Sequence, residues 1–293
     1  MKSWKKEVTN DDLKKLLRGK TILLTGGAGS ISSELVKKLL KFPIKGVRVL
    51  DNNEHSLFLL KRKVNDPKLR LLLGDILNKE RLEMAGLHVD IVCHLAAIKN
   101  IEISEFNPIE TIDVNVNGMV NLIKMVIRNK PKILLNISTD KAANPSTLYG
   151  ITKRLSEKLT SWAGDHIEGT RFASIRFGNV METRGNVFEI WKEESENNQP
   201  LSITDPKMMR YFFHIEESVD FILKSMFLAK SGEIFVPKMK KYNMKDLAMK
   251  YSKKYKIIGL RPGEKLEEIL ITDEDRENAT ELKNMWVIKP PPY

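Results

Sequence analysis

Residues 21–35 read TILLTGGAGSISSEL: an apolar run, a turn holding Gly26 and Gly29, then apolar residues at helical spacing. A strand that runs through glycines straight into a helix brings the backbone close to whatever sits at the helix N-terminus, where unpaired N–H groups favour a phosphate. Such a unit cannot stand alone. A strand followed by a helix returns to its sheet as a parallel neighbour, so the surrounding chain must keep alternating. It does so through residue 180. VRVLD, LRLLLGD, VDIVCHLAA, PKILLNIST and TRFASIRFGNV read as buried strands, separated by the helical segments SLFLLKRKVN, ERLEMAG, 109–127 and TLYGITKRLSEKLTSWAG. Short apolar strands joined by crossover helices need both sheet faces covered.

The predicted fold class is therefore α/β, a doubly wound Rossmann-type parallel sheet over residues 1–180, entered through a polar leader. After residue 180 the alternation ends. A charged loop with glycine is followed by helical VFEIWKEESEN, the short strand LSIT, a helix over 215–229, the strand GEIFVP and helical MKDLAMKYSKKY before the turn GLRPGEK. Residues 181–293 are expected to form a smaller, predominantly substrate-binding lobe, parts of which can return to the main sheet. The terminal PPPY reads as a frayed end.

The chain of 293 residues carries a net charge of +11, which raises nucleic acid or an anionic membrane as a partner. Residues 1–20 contribute +4 and residues 238–256 contribute +7, the whole excess. A uniformly basic binding protein is ruled out, and no nucleic-acid partner is expected. No run approaches the ~18 apolar residues of a spanning helix. The N-terminus lacks a signal peptide's apolar stretch. The single cysteine, Cys93, lies in an apolar strand, excludes an internal disulfide and fits a reducing compartment. The expectation is a cytoplasmic protein with no membrane-spanning segment.

The glycine turn points to a dinucleotide. Gly26, Gly29, Ser30 and Ile31 form the turn and helix start, and Asp51 ends the second strand 22 residues after Gly29, where a carboxylate holds an adenosine ribose. NAD is preferred to NADP, because Asp51 would repel a 2′-phosphate and Arg48 lies within the strand rather than beyond it. Asp75 and Ile76 after the third strand and Ala96 after the fourth complete the expected cofactor set. The alternative is a tight turn with a solvated aspartate.

The strand LLNIST leads into Asp140 and Lys141, with Tyr149 and Lys153 four residues apart beyond them. On one helix face, the Lys153 ammonium could lower the Tyr149 phenol and hold a cofactor ribose. Tyrosinate can then take a proton from a sugar hydroxyl, with Thr139 or Ser138 hydrogen-bonding the developing ketone. The competing reading gives Tyr149 to packing and Lys153 to solvent.

With these residues in place, the chain over about 18–290 resembles the extended short-chain dehydrogenase/reductase family, and within it the nucleotide-sugar 4,6-dehydratases of surface-polysaccharide biosynthesis. TGGAGSIS, HLAAIKNIEISEFNP, NISTDKAANPSTLYGITK, RFGNV followed by RG, and RPGEKLEEIL carry the resemblance. It implies an internal redox cycle: C4 oxidation, water loss across C5 and C6, and hydride return to C6. The Tyr149 match is the oxidation base, the Asp140 match protonates the C6 oxygen and the Lys141 match takes the C5 proton. Lys141 must then be neutral, by burial or a nearby positive charge, and Asp140 protonated, so the two form a coupled pair; the competing reading is a structural salt bridge, which would leave elimination without its dedicated groups. Lys99 and Asn179 match substrate-holding positions. Arg210 and Arg261 suit a diphosphate clamp, and Glu264 could grip a uridine ribose or orient Arg261. His214 has no spaced metal partners, and no metal is expected. UDP-N-acetylglucosamine is the implied substrate, and a homodimer or higher homo-oligomer the implied assembly.

Three departures from the family pattern fall on ligand-binding turns. Ser32 replaces the third fingerprint glycine and is expected to loosen helix-to-sheet packing. Glu182 precedes Thr183, Arg184 and Gly185 and could oppose a phosphate, point outward or bind a cation, and Met209 precedes Arg210. Rival functions are an NAD-dependent nucleotide-sugar epimerase that stops short of dehydration, and a non-catalytic nucleotide sensor or nucleic-acid binder.

Overall fold

A computed structural model describes Trp4 and residues 7–290; Pro291 to Tyr293, the end of the PPPY tail, lie outside them, as do Met1 to Ser3, Lys5 and Lys6. Its main sheet begins with β1 (Thr21–Thr25), β2 (Gly46–Asp51), β3 (Leu69–Leu73), β4 (Ile91–His94), β5 (Ile133–Thr139) and β6 (Arg171–Phe177). Their spatial order is β3-β2-β1-β4-β5-β6, all parallel. The order reverses between β1 and β4, and ligands of such sheets bind at the strands' C-terminal ends beside that reversal.

Alternation along β1 shows how the sheet holds together. Ile22 and Leu24 enter one core, with Leu35, Leu39 and Phe177, while Leu23 enters the other, with Val92, Leu122 and Leu134. Successive side chains of a strand point to opposite faces, so an unbroken apolar run is what a sheet covered on both sides requires. Each fully buried aliphatic side chain contributes about 1.5–3 kcal/mol. Cys93 is buried in this core, and burial pushes its thiol up to about 12, out of reach of ordinary thiolate chemistry.

The polar leader holds a helix, Asn10–Leu17, started by a capping box between Thr9 and Asp12 and anchored by buried Leu17. The long helix expected over 109–127 is interrupted by a π turn at Asp113–Asn117.

The second half does two things. β7 (Asn179–Val180), β8 (Leu201–Ile203) and β9 (Met209–Phe213) build a small lobe around Trp191, Phe212 and Met244. The chain then re-enters the main sheet through β10 (Glu233–Pro237), parallel to β6. The lobe resumes with β11 (Lys240–Asn243) beside β9 and β12 (Tyr255–Ile257) beside β8. Finally β13 (Ala279–Glu281) and β14 (Met285–Ile288) extend the main sheet antiparallel to nine strands. The lysine-rich segment is not the helix its spacing suggested. Only Met244–Ala248 is helical, capped by Asn243, because Tyr255 to Ile257 are drawn into pairing with β8.

Candidate active site

A cavity of about 790 Å³ opens at the C-terminal ends of β1 and β4 and runs from the glycine turn to the small lobe. Gly26 has φ +63°, and a Cβ there would stand 2.6 Å from the Ala96 backbone, so the turn and the β4 exit touch only because this residue is glycine. The helix Ser30–Leu40 begins at Gly29 without a side-chain cap and with no acidic residue in its first turn. Its free N–H groups and dipole are therefore open to an anion. Ser32 does not loosen the turn: it is buried, and its Oγ donates to the Gly26 carbonyl at 2.8 Å, closing the loop a glycine would leave unbraced. Asp51 accepts from the Ala28 amide at 3.0 Å and the Asn53 amide at 3.0 Å, which fixes its carboxylate at the cavity edge. Asp75 holds Asn52 and the Leu77 amide, while Arg48 donates to the Ala85 and Leu87 carbonyls and takes no part in the cavity wall. With Ile31, Ile76 and Ala96 also on the wall, these residues fit a dinucleotide whose adenosine ribose meets a carboxylate rather than an arginine of β2.

The reactive end is built on the β5 exit. Thr139, Lys141, Tyr149 and Lys153 line the cavity; Asp140 does not, its side chain having no exposure. Asp140 Oδ1 receives Thr139 Oγ1 at 3.0 Å and Lys141 Nζ at 3.1 Å, so the carboxylate addresses the cavity through its two neighbours. Its Oδ2 is buried without a hydrogen-bond partner, 3.3 Å from where a Cβ on Gly178 would lie. Burial pulls the Lys141 ammonium down, but Asp140, Glu268 and Tyr149 outweigh it, and its pKa ends above the ordinary lysine value. The expected neutral amine is thus corrected: Lys141 is held in its charged form, because its neighbours are acids rather than cations.

Tyr149 and Lys153 share the helix Leu148–His166, capped by Thr147. Burial raises the Tyr149 phenol, while Lys141 and a hydrogen bond with Thr139 pull it back. The cation that acts on the phenol is Lys141, not Lys153 as the four-residue spacing suggested. Lys153 is itself brought down to about 8 by burial, against the opposing pull of Glu157.

On the opposite wall, Arg210 is buried and donates to the Met209, Lys265 and Leu266 carbonyls, with Glu264 3.4 Å away. Met209 contributes its backbone carbonyl to this hold. Glu264 also accepts the Arg261 backbone amide at 3.2 Å, leaving the exposed Arg261 side chain at the rim. Asn179 donates to the Tyr211 carbonyl, and Lys99 reaches the Arg184 carbonyl. Glu182 stays off the cavity wall: in a left-handed conformation (φ +58°), it accepts from His214 Nδ1 at 2.7 Å and from the Ile215 amide. Among the described residues no group of His, Cys, Asp and Glu could hold a metal ion.

Four contributors escaped sequence reasoning. Asn115, inside the π turn, holds both backbone groups of Ile98 and the Thr152 hydroxyl, locking the β4 exit to the Tyr149 helix. Glu268 adds a buried carboxyl beside Lys141, Gly178 makes room for Asp140, and Arg184 reaches the glycine turn from the small lobe. A glycine inside RFGNV was the visible signal for Gly178; the others depend on contacts far apart in sequence.

Residues 22–290 match the family model described as "Polysaccharide biosynthesis protein". The chain belongs to this polysaccharide biosynthesis family. Family relatives include an uncharacterized membrane protein of Methanocaldococcus jannaschii, 43% identical over 95% of this chain and 88% of its own. The UDP-N-acetylglucosamine 4,6-dehydratase (inverting) of Campylobacter jejuni is 39% identical over 92% of this chain and 83% of its own. Among solved structures, Pen from Bacillus thuringiensis superposes with a TM-score of 0.90 at 34% identity, covering 94% of this chain and 90% of its own. The family assignment and the Rossmann-type α/β fold read from the sequence both stand. No helix of the described residues is long and apolar enough to cross a membrane.

Proposed function

We propose that the protein is an NAD-dependent nucleotide-sugar 4,6-dehydratase acting on UDP-N-acetylglucosamine. The observation that carries this reading is the Asp140–Lys141 pair, 3.1 Å apart, placed beside Tyr149. Oxidation alone needs a tyrosine and a lysine; elimination also needs an acid and a base of its own. Similarity to the Campylobacter jejuni enzyme supports the substrate, and inversion at C5 is the outcome that enzyme's name specifies.

Lys153 and Asp51 would hold the two ribose rings of the dinucleotide, and the start of the Ser30 helix its pyrophosphate. When bound, NAD supplies the acceptor for the C4 hydrogen and returns that hydrogen to C6. Tyr149 Oη takes the C4 hydroxyl proton, with Ser138 or Thr139 supporting the ketone oxygen. Thr139 already gives its proton to Asp140, whereas Ser138 Oγ is buried without a partner on the same wall. Ser138 is thus the freer donor. For elimination, Lys141 Nζ must lose a proton and Asp140 must gain one. A single transfer across their hydrogen bond does both without changing the charge of the site. Lys141 then takes the C5 proton as Asp140 protonates the departing C6 oxygen; Lys141 gives a proton back to C5 as C6 becomes a methyl group, and the proton held by Tyr149 restores Asp140. Asn179, Arg210 and Arg261 face the diphosphate and Lys99 the nicotinamide and sugar, with Glu264 on the nucleotide ribose or bracing the clamp.

Residues 1–180 supply the cofactor half and 181–293 most of the substrate half. Exposed Phe106, Ile109 and Ile151 on packed helices support a homodimer, with exposures of 78%, 71% and 52%. A buried free thiol suits a cytoplasmic setting, and the basic residues serve as a solvated face rather than a nucleic-acid site. Incubation with UDP-N-acetylglucosamine followed by mass spectrometry tests the function. Loss of one water from the sugar supports it; an isobaric product would instead identify an epimerase, and an unchanged sugar a binding protein.

A further inference from the structure

Arg184 belongs to the loop between β7 and the helix Val187–Glu196, yet its contacts lie across the cavity. Its Nη2 donates to the Ala28 carbonyl at 2.9 Å, its Nη1 stands 3.5 Å from Ser56 Oγ, and its backbone amide donates to Ser30 Oγ at 3.0 Å. Ala28 and Ser30 belong to the glycine turn, and Ser56 follows the β2 exit that carries Asp51. All four side chains or backbones lie on the cavity wall. One residue of the small lobe thus spans both elements that frame the dinucleotide half.

The charge of this residue is unspent. All three contacts are with neutral groups, and among the described residues no carboxylate forms an ion pair with Arg184. Lys99 places its Nζ 3.4 Å from the Arg184 carbonyl; burial lowers its pKa and Arg184 lowers it further, with Glu189 opposing. Two cations held together at the mouth of a phosphate-binding turn repel each other until an anion comes between them. The loop is fixed at its root as well, by Glu182 on His214 and by the Gly185 amide on Glu189 at 2.6 Å.

We propose that Arg184 is a clasp that retains the dinucleotide, closing over it from the substrate lobe and giving the pyrophosphate a cation the glycine turn lacks. The inference rests on the dehydratase reading in one respect. A cofactor that receives a hydrogen from C4 and returns it to C6 must stay bound through the cycle, unlike one exchanged at every turnover. A guanidinium spans two acceptors as an ammonium cannot, so the role calls for arginine.

The test is the rate at which protein loaded with NAD loses it after rapid gel filtration, followed by chromatography of the retained nucleotide. Arg184→Ala is expected to release NAD at least about tenfold faster than the wild type, the effect of one charge-assisted contact. Arg184→Lys, which keeps the charge without the span, falls between them. Release at the wild-type rate from the variants overturns the assignment, and the lysine variant alone decides if the alanine variant does not fold. Product assays on the wild type separate this inference from the function. Dehydration by the wild type with unaltered NAD release from the variants removes the clasp and leaves the dehydratase; accelerated release from the variants with no dehydration by NAD-loaded wild type does the reverse.

Discussion

Lys141 Nζ lies 3.1 Å from Asp140 Oδ1, and of the two side chains only that of Lys141 reaches the cavity. The pair holds one proton to share, and its two arrangements have opposite uses. With the proton on Lys141 the site is a quiet ion pair, whose cation lowers the Tyr149 phenol while its carboxylate and burial raise it; with the proton on Asp140 it is an acid and a base side by side. On the dehydratase reading, elimination at C5 and C6 asks for the second arrangement.

Replacing Asp140 with Asn removes the shared proton while keeping the shape. Asp140→Asn is expected to reduce dehydration by about a hundredfold or more, the range for loss of a positioned acid. The C4 step should survive, so reduced nicotinamide should accumulate in a single turnover with substrate. Undiminished dehydration would remove Asp140 from the proton path.

How much of this was legible depends on range. The sheet was readable because an apolar strand and an amphipathic helix announce themselves within ten residues, and Tyr149 and Lys153 because a helix face repeats within four. The state of Lys141 was not, since it depends on Glu268, more than a hundred residues away, as well as on Asp140 next to it. Glu182 looked adverse in one dimension for the same reason: its left-handed backbone turns the carboxylate to His214, a contact no spacing rule shows. The break at Ala248 was hidden because pairing of β12 with β8 overrode a locally helical pattern.

Gly178 is the spacer behind the acid. A methyl group there would meet Tyr211 Cβ at 2.7 Å and approach Asp140 Oδ2 at 3.3 Å. Gly178→Ala should destabilise the fold by about 1–3 kcal/mol through overpacking. It should also lower turnover more than it lowers NAD affinity, because the displaced groups lie at the reactive end. Denaturant melts with titration of NAD read both effects, and equal loss of both would contradict the spacer role.

His94 sits at the end of β4 with Nδ1 2.7 Å from Thr25 Oγ1. Burial, with help from Lys153, lowers its pKa to about 3. A group depressed in the fold leaves stability intact above its unfolded value of 6.5 and removes it as pH falls toward 3. This residue alone should cost up to about 1.4 kcal/mol per pH unit across that window. Urea melts over the same range should show a shallower acid slope, by one proton, in His94→Gln; an unchanged slope would show that His94 titrates normally.

Arg176 is fully buried, with Nε and Nη2 on Glu157 at 2.9 and 2.8 Å and Nη1 on Asp275 at 2.6 Å. Glu157 lies on the Tyr149 helix and Asp275 on the last helix of the described residues, so one guanidinium ties the Tyr149 helix to the strands that return late to the sheet. Asp275→Ala leaves Arg176 its two contacts to Glu157 but strips Nη1 of its carboxylate, so it should cost about 1–3 kcal/mol by chemical denaturation, the loss of one charge-assisted hydrogen bond. Replacing Arg176 with Met leaves Glu157 and Asp275 with only Arg154, 3.4 Å from each, so it should destabilise more, by about 3–5 kcal/mol at neutral pH, and recover part of the loss on mild acidification as the under-paired carboxyls take up protons. If Arg176→Met proved as stable as wild type at neutral pH, the network would contribute nothing to holding the C-terminal strands in place.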